Sequence, residues 1–231
     1  MACVSVIIAA AGSASRMNGI PKQLAELAGK PVTAYSLEVF GAMPEVREIV
    51  ISARREHFDI LRGIADKYGG GKVTEITEGG QTRQESVINA LRKISKETDL
   101  VAVHDAARPL ITEDTVRRCI RDAEIFGGAA PGVPVKDTLK TAEGGLVSDT
   151  PDRSRLYAIQ TPQIFKKKYY YDGVNFALEH DLDFTDDCQI AEAVGTKICI
   201  TPSDYFNIKI TTPEDLAVAE ALMLYRKGNS Q

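Results

Sequence analysis

Val4-Ser5-Val6-Ile7-Ile8-Ala9, followed by Ala10-Ala11-Gly12-Ser13-Ala14-Ser15-Arg16-Met17-Asn18-Gly19-Ile20-Pro21-Lys22-Gln23, decides the reading of this chain. A short run of β-branched residues predicts a buried strand. The small residues after it let the backbone approach a ligand closely, and exposed N–H groups in such a loop bind anions. Arg16 and Lys22 add two cations to the same loop. The run has no basic leader and stops at Gly12, so it reads as a first strand rather than as a signal peptide or a membrane span of about 20 apolar residues.

Outward from this point the chain alternates. Strands are predicted at 46–52, 73–77 and 100–103, and helical stretches at 33–42, 57–68, 82–94 and 115–126. That rhythm predicts an α/β fold with a mainly parallel, twisted sheet covered by helices on both faces. Residues 127–135 are a small-residue strand. Residues 136–158 are polar, with Gly144-Gly145 near the middle, and read as an extended β-arm needing a partner surface, the alternative being a long mobile loop. From Gln163 the pattern returns to helix, strand and helix, with strands expected at 196–201 and 206–210. Thr212-Pro213-Glu214-Asp215 opens a last helix over 216–226 with an N-cap Thr, a Pro at the first position and acids in the first turn. The expectation is one domain over 1–231, with the arm inside it.

Composition bounds the function. Of 231 residues, 28 are Lys or Arg and 32 are Asp or Glu, a formal net charge of −4. A mildly acidic chain makes a poor nucleic-acid binder. Cys3, Cys119, Cys188 and Cys199 are scattered, as are His57, His104 and His180, which argues against a zinc site and for reduced thiols in the cytoplasm.

The first loop matches no common phosphate motif. G-x-x-x-x-G-K-[ST] is absent, G-x-G-x-x-G is broken at Ala14, and G-x-S-x-G is absent. Alone, the loop is either a phosphate site or an ordinary strand-to-helix turn with two surface cations. Asp105, in Val103-His104-Asp105-Ala106-Ala107-Arg108-Pro109, ends a predicted central strand, where ligands gather in open parallel sheets. A carboxylate there suits Mg²⁺, and it equally suits capping of the next turn. His104 reads as structural. In Asn207-Ile208-Lys209-Ile210-Thr211, alternation puts Lys209 on the polar face, toward either a cleft or solvent. Glu78-Gly79-Gly80-Gln81-Thr82-Arg83 is a Gly-Gly turn into a helix, either a second backbone-lined pocket or simply a loop, and Gln160-Thr161-Pro162-Gln163 is a turn without an evident task.

Together these segments resemble the 2-C-methyl-D-erythritol 4-phosphate cytidylyltransferases of the non-mevalonate isoprenoid pathway. The matching pieces are Ala10-Ala11-Gly12 with Arg16-Met17, Pro21-Lys22-Gln23, Arg83-Gln84-Glu85-Ser86, His104-Asp105-Ala106-Ala107-Arg108-Pro109, Asp137-Thr138, Asp152-Arg153, Thr161-Pro162-Gln163, and Asn207-Ile208-Lys209 with Pro213-Glu214-Asp215-Leu216. They run in the family's order along nearly the whole chain. The resemblance implies a Rossmann-like fold and a cytoplasmic homodimer whose arms exchange. It implies that Arg16 and Lys22 act on the CTP triphosphate and the transition state, and that Asp105 holds Mg²⁺ or another divalent cation. Lys209, with the partner's Arg153, would position 2-C-methyl-D-erythritol 4-phosphate. Thr138, Thr161 and Thr185 would line that acceptor site. Ala10, Ala11, Gly12, Gly80, Ser86 and Ala106 would hold the nucleotide. Neither nucleic acid nor membrane is implied as a partner. One departure is Ala14, where many members carry Gly.

The implied reaction needs no general base, because a phosphate dianion is already a nucleophile. Ribitol 5-phosphate cytidylyltransferases share this logic, but they tend to Ala-Gly-Gly and Asp-Ala-Val-Arg where this chain reads Ala-Ala-Gly and Asp-Ala-Ala-Arg. A non-catalytic nucleotide-binding domain is disfavoured by Arg16, Lys22, Asp105 and Lys209 occurring together. A dehydrogenase is disfavoured by the broken dinucleotide fingerprint.

Overall fold

The computed structural model describes residues 2–12 and 21–228. The strand predicted at the start is β1, Val4–Ala10, and it lies at the centre of the sheet. Its alternation splits the core in two. Val4, Val6, Ile8 and Ala10 face one apolar cluster and Ile7 faces the other, so both sides of the strand are covered.

The other elements follow in chain order. A small hairpin of β2 (Glu26–Leu27) and β3 (Lys30–Pro31) leads into α1 (Val32–Ala42). Then come β4 (Val46–Ala53), α2 (Phe58–Tyr68), β5 (Val73–Glu78), α3 (Arg83–Leu91), β6 (Leu100–Asp105), α4 (Glu113–Phe126) and β7 (Gly127–Pro134). Beyond these lie β8 (Thr141–Glu143), β9 (Leu146–Asp149), β10 (Tyr157–Ile159), β11 (Gln163–Lys166), α5 (Lys167–Glu179), α6 (Asp187–Glu192), β12 (Lys197–Pro202) and α7 (Glu214–Gly228).

The main sheet runs β10-β7-β11-β6-β1-β4-β5, with β12 also on β7. It is mixed and mostly parallel. β4, β1 and β6 pair in parallel and β5 extends them, whereas β11 is antiparallel to both β6 and β7. Helices α1, α2 and α4 supply Leu37, Phe40, Leu61, Val116 and Cys119 to one face. Helices α3, α5 and α6 supply Val87, Leu91, Tyr170, Val174 and Ile190 to the other. A third cluster, with Leu27, Tyr35, Ile210 and Ala219, seats α7 beside the hairpin of β2 and β3.

Two expectations need correction. Gln163–Lys166 is a strand, not the start of a helix, and its residues pair with β6 and β7. Residues 206–210 form no strand. They are an irregular segment that opens with a turn, the Ile208 N–H donating to the Phe206 carbonyl at 2.7 Å and the Ile210 N–H to the Ala107 carbonyl at 2.8 Å. Alternation of Ile208 and Ile210 suggested a ladder, but a turn at Phe206 and bonds from Asn207 to Arg108, Gln160 and Thr161 hold the segment instead of a neighbouring strand.

The small residues of β7 have a packing cause. A Cβ on Gly128 would stand 2.5 Å from Ile198 Cδ1, and one on Gly132 would stand 2.7 Å from Ile200 Cγ2. Neighbouring side chains lean across that strand, so larger residues do not fit. In the arm, β8 and β9 form a hairpin with Gly144 and Gly145 both at positive φ, as a two-residue turn requires. All of its residues are exposed, Leu146 at 77 %. By Tyr157–Ile159 the chain has rejoined β7. No described helix is long and apolar enough to cross a membrane.

Gly173 governs the approach of α5 to α6, since a Cβ there would lie 2.3 Å from the Ile190 carbonyl oxygen. Gly173→Ala should lower unfolding stability by about 1–3 kcal/mol in urea titrations, the usual range for overpacking.

Candidate functional site

Sheet register makes the site. Ala9 in β1 stands opposite Asp105 at the end of β6, so the loop leaving β1 and the Asp105 turn begin side by side. From β1 the sheet grows toward β4 and β5 on one side and toward β6 on the other, and ligands collect at such a switch point. A cleft of about 650 Å³ lies there. It is lined by the Ala9–Gly12 stretch, Lys22, the 78–83 turn, Asp105 and Lys209.

Each wall is anchored. Gln23 is buried, and its side-chain amide donates to the Ala10 carbonyl at 2.8 Å, which ties the segment next to Lys22 to the end of β1, and Lys22 lines the cleft. A Cβ on Gly12 would meet Lys22 Cε at 3.8 Å. Arg16 and Ala14 lie outside the described residues. On the opposite wall a Cβ at Gly79 would stand 2.4 Å from Ala11 Cβ, so only glycine lets the two loops close on each other. Thr82 caps α3 by accepting from the Glu85 N–H, and Ser86 Oγ accepts from the Gly80 N–H at 3.0 Å. The N-terminus of α3, with its partial positive charge, thus opens on the cleft.

Asp105 is the electrostatic centre. It is 7 % exposed. Lys209 Nζ contacts Oδ2 at 2.7 Å, Arg108 Nε lies 3.7 Å from the same oxygen, and Arg83 Nε lies 3.5 Å from Oδ1. Burial alone would raise the carboxyl pKa, but Lys209, Arg83 and Arg108 outweigh it and hold the group far below the usual range. Asp105 is therefore ionised whenever the chain is folded near neutrality.

Lys209 reaches this place although it lies on no strand. Arg108 Nη1 donates to the Asn207 carbonyl at 2.7 Å, Asn207 donates to Gln160 and to the Thr161 carbonyl, and the Asp215 side chain accepts from Thr211 and Thr212. The turn at 160–163 also has a task. Thr161, 4 % exposed, accepts from the Asp105 N–H at 3.0 Å and bonds His104 Nδ1 at 3.0 Å. His104 is structural, as expected, and fully partnered: Nε2 lies 3.2 Å from both Ser36 Oγ and the Arg108 carbonyl.

Other predicted positions scatter. Ala10, Ala11, Gly12, Gly80 and Ser86 line the cleft, while Ala106 is buried behind it with its N–H on the Ala9 carbonyl. Thr138 and Arg153 lie exposed on the arm, with Arg153 Nη1 donating to the Lys136 carbonyl at 2.7 Å. Thr185 is exposed before α6 and bonds Gln189. None of these three lines the cleft within one chain.

Sequence reading gave no role to Arg83 or Arg108. Arg83 ion-pairs with Asp187 at 2.7 Å as well as facing Asp105, and these two carboxylates push its pKa up against the effect of burial. The signal was the spacing: Arg108 follows Asp105 by three residues, and Arg83 opens the helix after the Gly-Gly turn.

Among the described residues no three His, Cys, Asp or Glu side chains converge into a metal cluster. Asp105 nevertheless fits a divalent ion of the Mg²⁺ type, which takes one or two carboxylates and draws its other ligands from phosphates and water. Its Oδ1 is the less engaged oxygen, since Arg83 stays 3.5 Å away.

Residues 4–225 match the family model for 2-C-methyl-D-erythritol 4-phosphate cytidylyltransferase. A protein of that name from Caldanaerobacter subterraneus subsp. tengcongensis is 42 % identical over 95 % of this chain and 98 % of its own length. One from Clostridium botulinum is 41 % identical over 95 % of this chain and 96 % of its own. A crystal structure of 4-diphosphocytidyl-2C-methyl-D-erythritol synthase from Anaerococcus prevotii superposes with a TM-score of 0.86 at 31 % identity, covering 96 % of both chains.

Burial pushes the His104 imidazole down to about 4, against 6.5 when unperturbed. Between those values the unfolded chain binds the extra proton. Stability is therefore complete above pH 6.5 and declines by about 3 kcal/mol as pH falls toward 4. In urea titrations across that window, the stability advantage of the natural chain over His104→Gln should shrink by that amount.

Proposed function

The chain belongs to the 2-C-methyl-D-erythritol 4-phosphate cytidylyltransferase family, and from that membership we propose that it joins CTP to 2-C-methyl-D-erythritol 4-phosphate, giving 4-diphosphocytidyl-2-C-methyl-D-erythritol and pyrophosphate. The observation that carries this reading is the convergence of Arg83, Arg108 and Lys209 around one ionised carboxylate, at a switch-point cleft that Lys22 also lines.

A phosphate oxygen of the acceptor attacks the α-phosphorus of CTP. The new P–O bond forms as the bond to the bridging oxygen of the β-phosphate breaks, and that oxygen leaves with pyrophosphate. Two anions must meet, so the main task of the protein is to offset repulsion and to hold both in line. Lys22, with Arg16 from the same loop, neutralises charge growing on the triphosphate. Lys209 keeps one N–H on Asp105 and turns its remaining donors to the acceptor phosphate, joined by Arg153. The small residues Ala10, Ala11 and Gly12 admit the triphosphate, and the Gly80–Ser86 turn frames the nucleoside. Thr138, Thr161 and Thr185 serve the acceptor side, Thr161 by setting the Asp105 backbone. Asp105 would hold a divalent cation, Mg²⁺ by its chemistry, which would supply further charge neutralisation on the phosphates.

Thr138 and Arg153 sit on the exposed arm, away from the cleft of their own chain, and the arm carries exposed Leu139, Leu146 and Val147. Both facts support a homodimer in which each arm completes the partner's site. The unpaired cysteines suit a reducing compartment, and the cytoplasm is the proposed location.

Pyrophosphate release with CTP should be fast with 2-C-methyl-D-erythritol 4-phosphate and slow with ribitol 5-phosphate offered beside it; the reverse preference would overturn the acceptor assignment. Lys22→Ala should fold normally and lose about 100-fold or more in kcat, the scale of removing one transition-state donor. Arg153→Ala should raise KM for the acceptor while CTP affinity, read by calorimetry, stays unchanged; equal loss of both would refute its role.

A further inference from the structure

Asp187 is a buried carboxylate that the mechanism above does not use. It opens α6 with 0 % exposure. The Tyr170 hydroxyl donates to its Oδ1 at 2.5 Å. Gln163 Oε1 accepts from the N–H groups of Asp187 and Cys188, each at 2.9 Å, and the Gln163 amide donates to Asp186. Three elements, β11, α5 and α6, thus fix one carboxylate in place, and Gly173 allows α5 and α6 to come close enough for it.

The outward partner of that carboxylate is Arg83, whose Nη1 lies 2.7 Å from Oδ2. The approach is a close ion pair outside hydrogen-bond alignment, because Oδ2 has no aligned donor. The other edge of the same guanidinium faces Asp105, with Nε and Nη2 both 3.5 Å from Oδ1. Arg83 is therefore stretched between two carboxylates, near the inner one and distant from the outer one. Without Asp187, the charge of Asp105 would draw it toward the usual bidentate distance of about 2.8 Å. Oδ2 of Asp105 is already engaged by Lys209, so both oxygens would then be occupied.

We propose that Asp187, fixed by Tyr170 and Gln163, is a positioning residue that holds Arg83 back from Asp105 and so keeps one Asp105 oxygen open to the cation that accompanies a nucleoside triphosphate. The inference rests on the function proposed above for the nucleotide and for Asp105. It also predicts a particular imbalance. Removing the Asp187 charge makes the site more positive, which favours a bare triphosphate, yet it closes Asp105 to the cation.

The test is CTP binding by calorimetry, in EDTA and in Mg²⁺. Asp187→Asn should reduce the gain in CTP affinity conferred by Mg²⁺ by about tenfold, the scale of one charge-assisted contact, while affinity in EDTA is kept or raised. The double variant Arg83→Gln/Asp187→Asn has no guanidinium to misplace, and its Mg²⁺ gain should return to within about threefold of the natural chain, a coupling that independent sites would not show. Should Asp187→Asn fail to fold, Tyr170→Phe, which removes the hydroxyl that fixes the Asp187 carboxylate, takes its place: its Mg²⁺ gain should fall by about threefold with affinity in EDTA kept, and an unchanged gain would overturn the proposal. Equal weakening of CTP in EDTA and in Mg²⁺, or a double variant without the Mg²⁺ gain, would overturn the proposal. If the natural chain binds CTP but releases no pyrophosphate, the catalytic reading fails and the same titrations still decide this one; if it binds no CTP, both fail.

Discussion

The ion pair between Asp105 and Lys209, 2.7 Å long and at the carboxyl end of a central strand, is the contact around which the cleft is organised. A charge as buried as Asp105 would cost several kcal/mol if left alone, so the fold must bring cations to it. It does so from three places in the chain: Arg83 from the first turn of a helix, Arg108 from the turn that follows Asp105, and Lys209 from an irregular segment about a hundred residues later. Each cation is in turn held by something else. Arg108 grips the Asn207 carbonyl, Arg83 is drawn toward Asp187, and the Lys209 segment hangs from Ala107 and Asp215.

The arrangement suits phosphate chemistry because it balances without being saturated. Three cations face two carboxylates in this cluster, and Lys22 stands at the same cleft. Surplus positive charge in a partly dehydrated crevice is worth more than the same charge in water. His104, buried directly behind Asp105, stays neutral and spends its ring nitrogens on Thr161, Ser36 and Arg108, so it sets backbone geometry without adding charge.

Most of the sheet was legible from residue pattern. The runs that became β1, β4, β5 and β6 are β-branched and bounded by turn residues, and the periodic stretches between them became helices. Two places misled. Gln163–Lys166 is short and precedes a helix, so nothing local distinguishes a strand from a helical start; pairing with β6 and β7 decides it. Residues 206–210 alternate like a strand, but the chain turns at Phe206 and its hydrogen bonds go to scattered partners rather than to one neighbouring strand, so no ladder forms. Of the site, the loop cations, Asp105 and Lys209 could be picked out as candidate side chains. The task of Thr161 could not, because its hydroxyl acts through two neighbours 56 and 57 residues away.

The sequence by itself determined the alternating architecture, the phosphate-compatible first loop and, through the order of its short motifs, the family. Local residue type carries those, since strand, turn and cap preferences act over a few positions. Tertiary structure alone decided which charges meet. The register that puts Ala9 beside Asp105 brings two loops together, and the packing of α5 on α6 places Asp187 behind Arg83. Coulomb energy depends on distance and burial rather than on separation along the chain, so Arg83 and Asp187, 104 residues apart, gained their meaning only once the chain had folded.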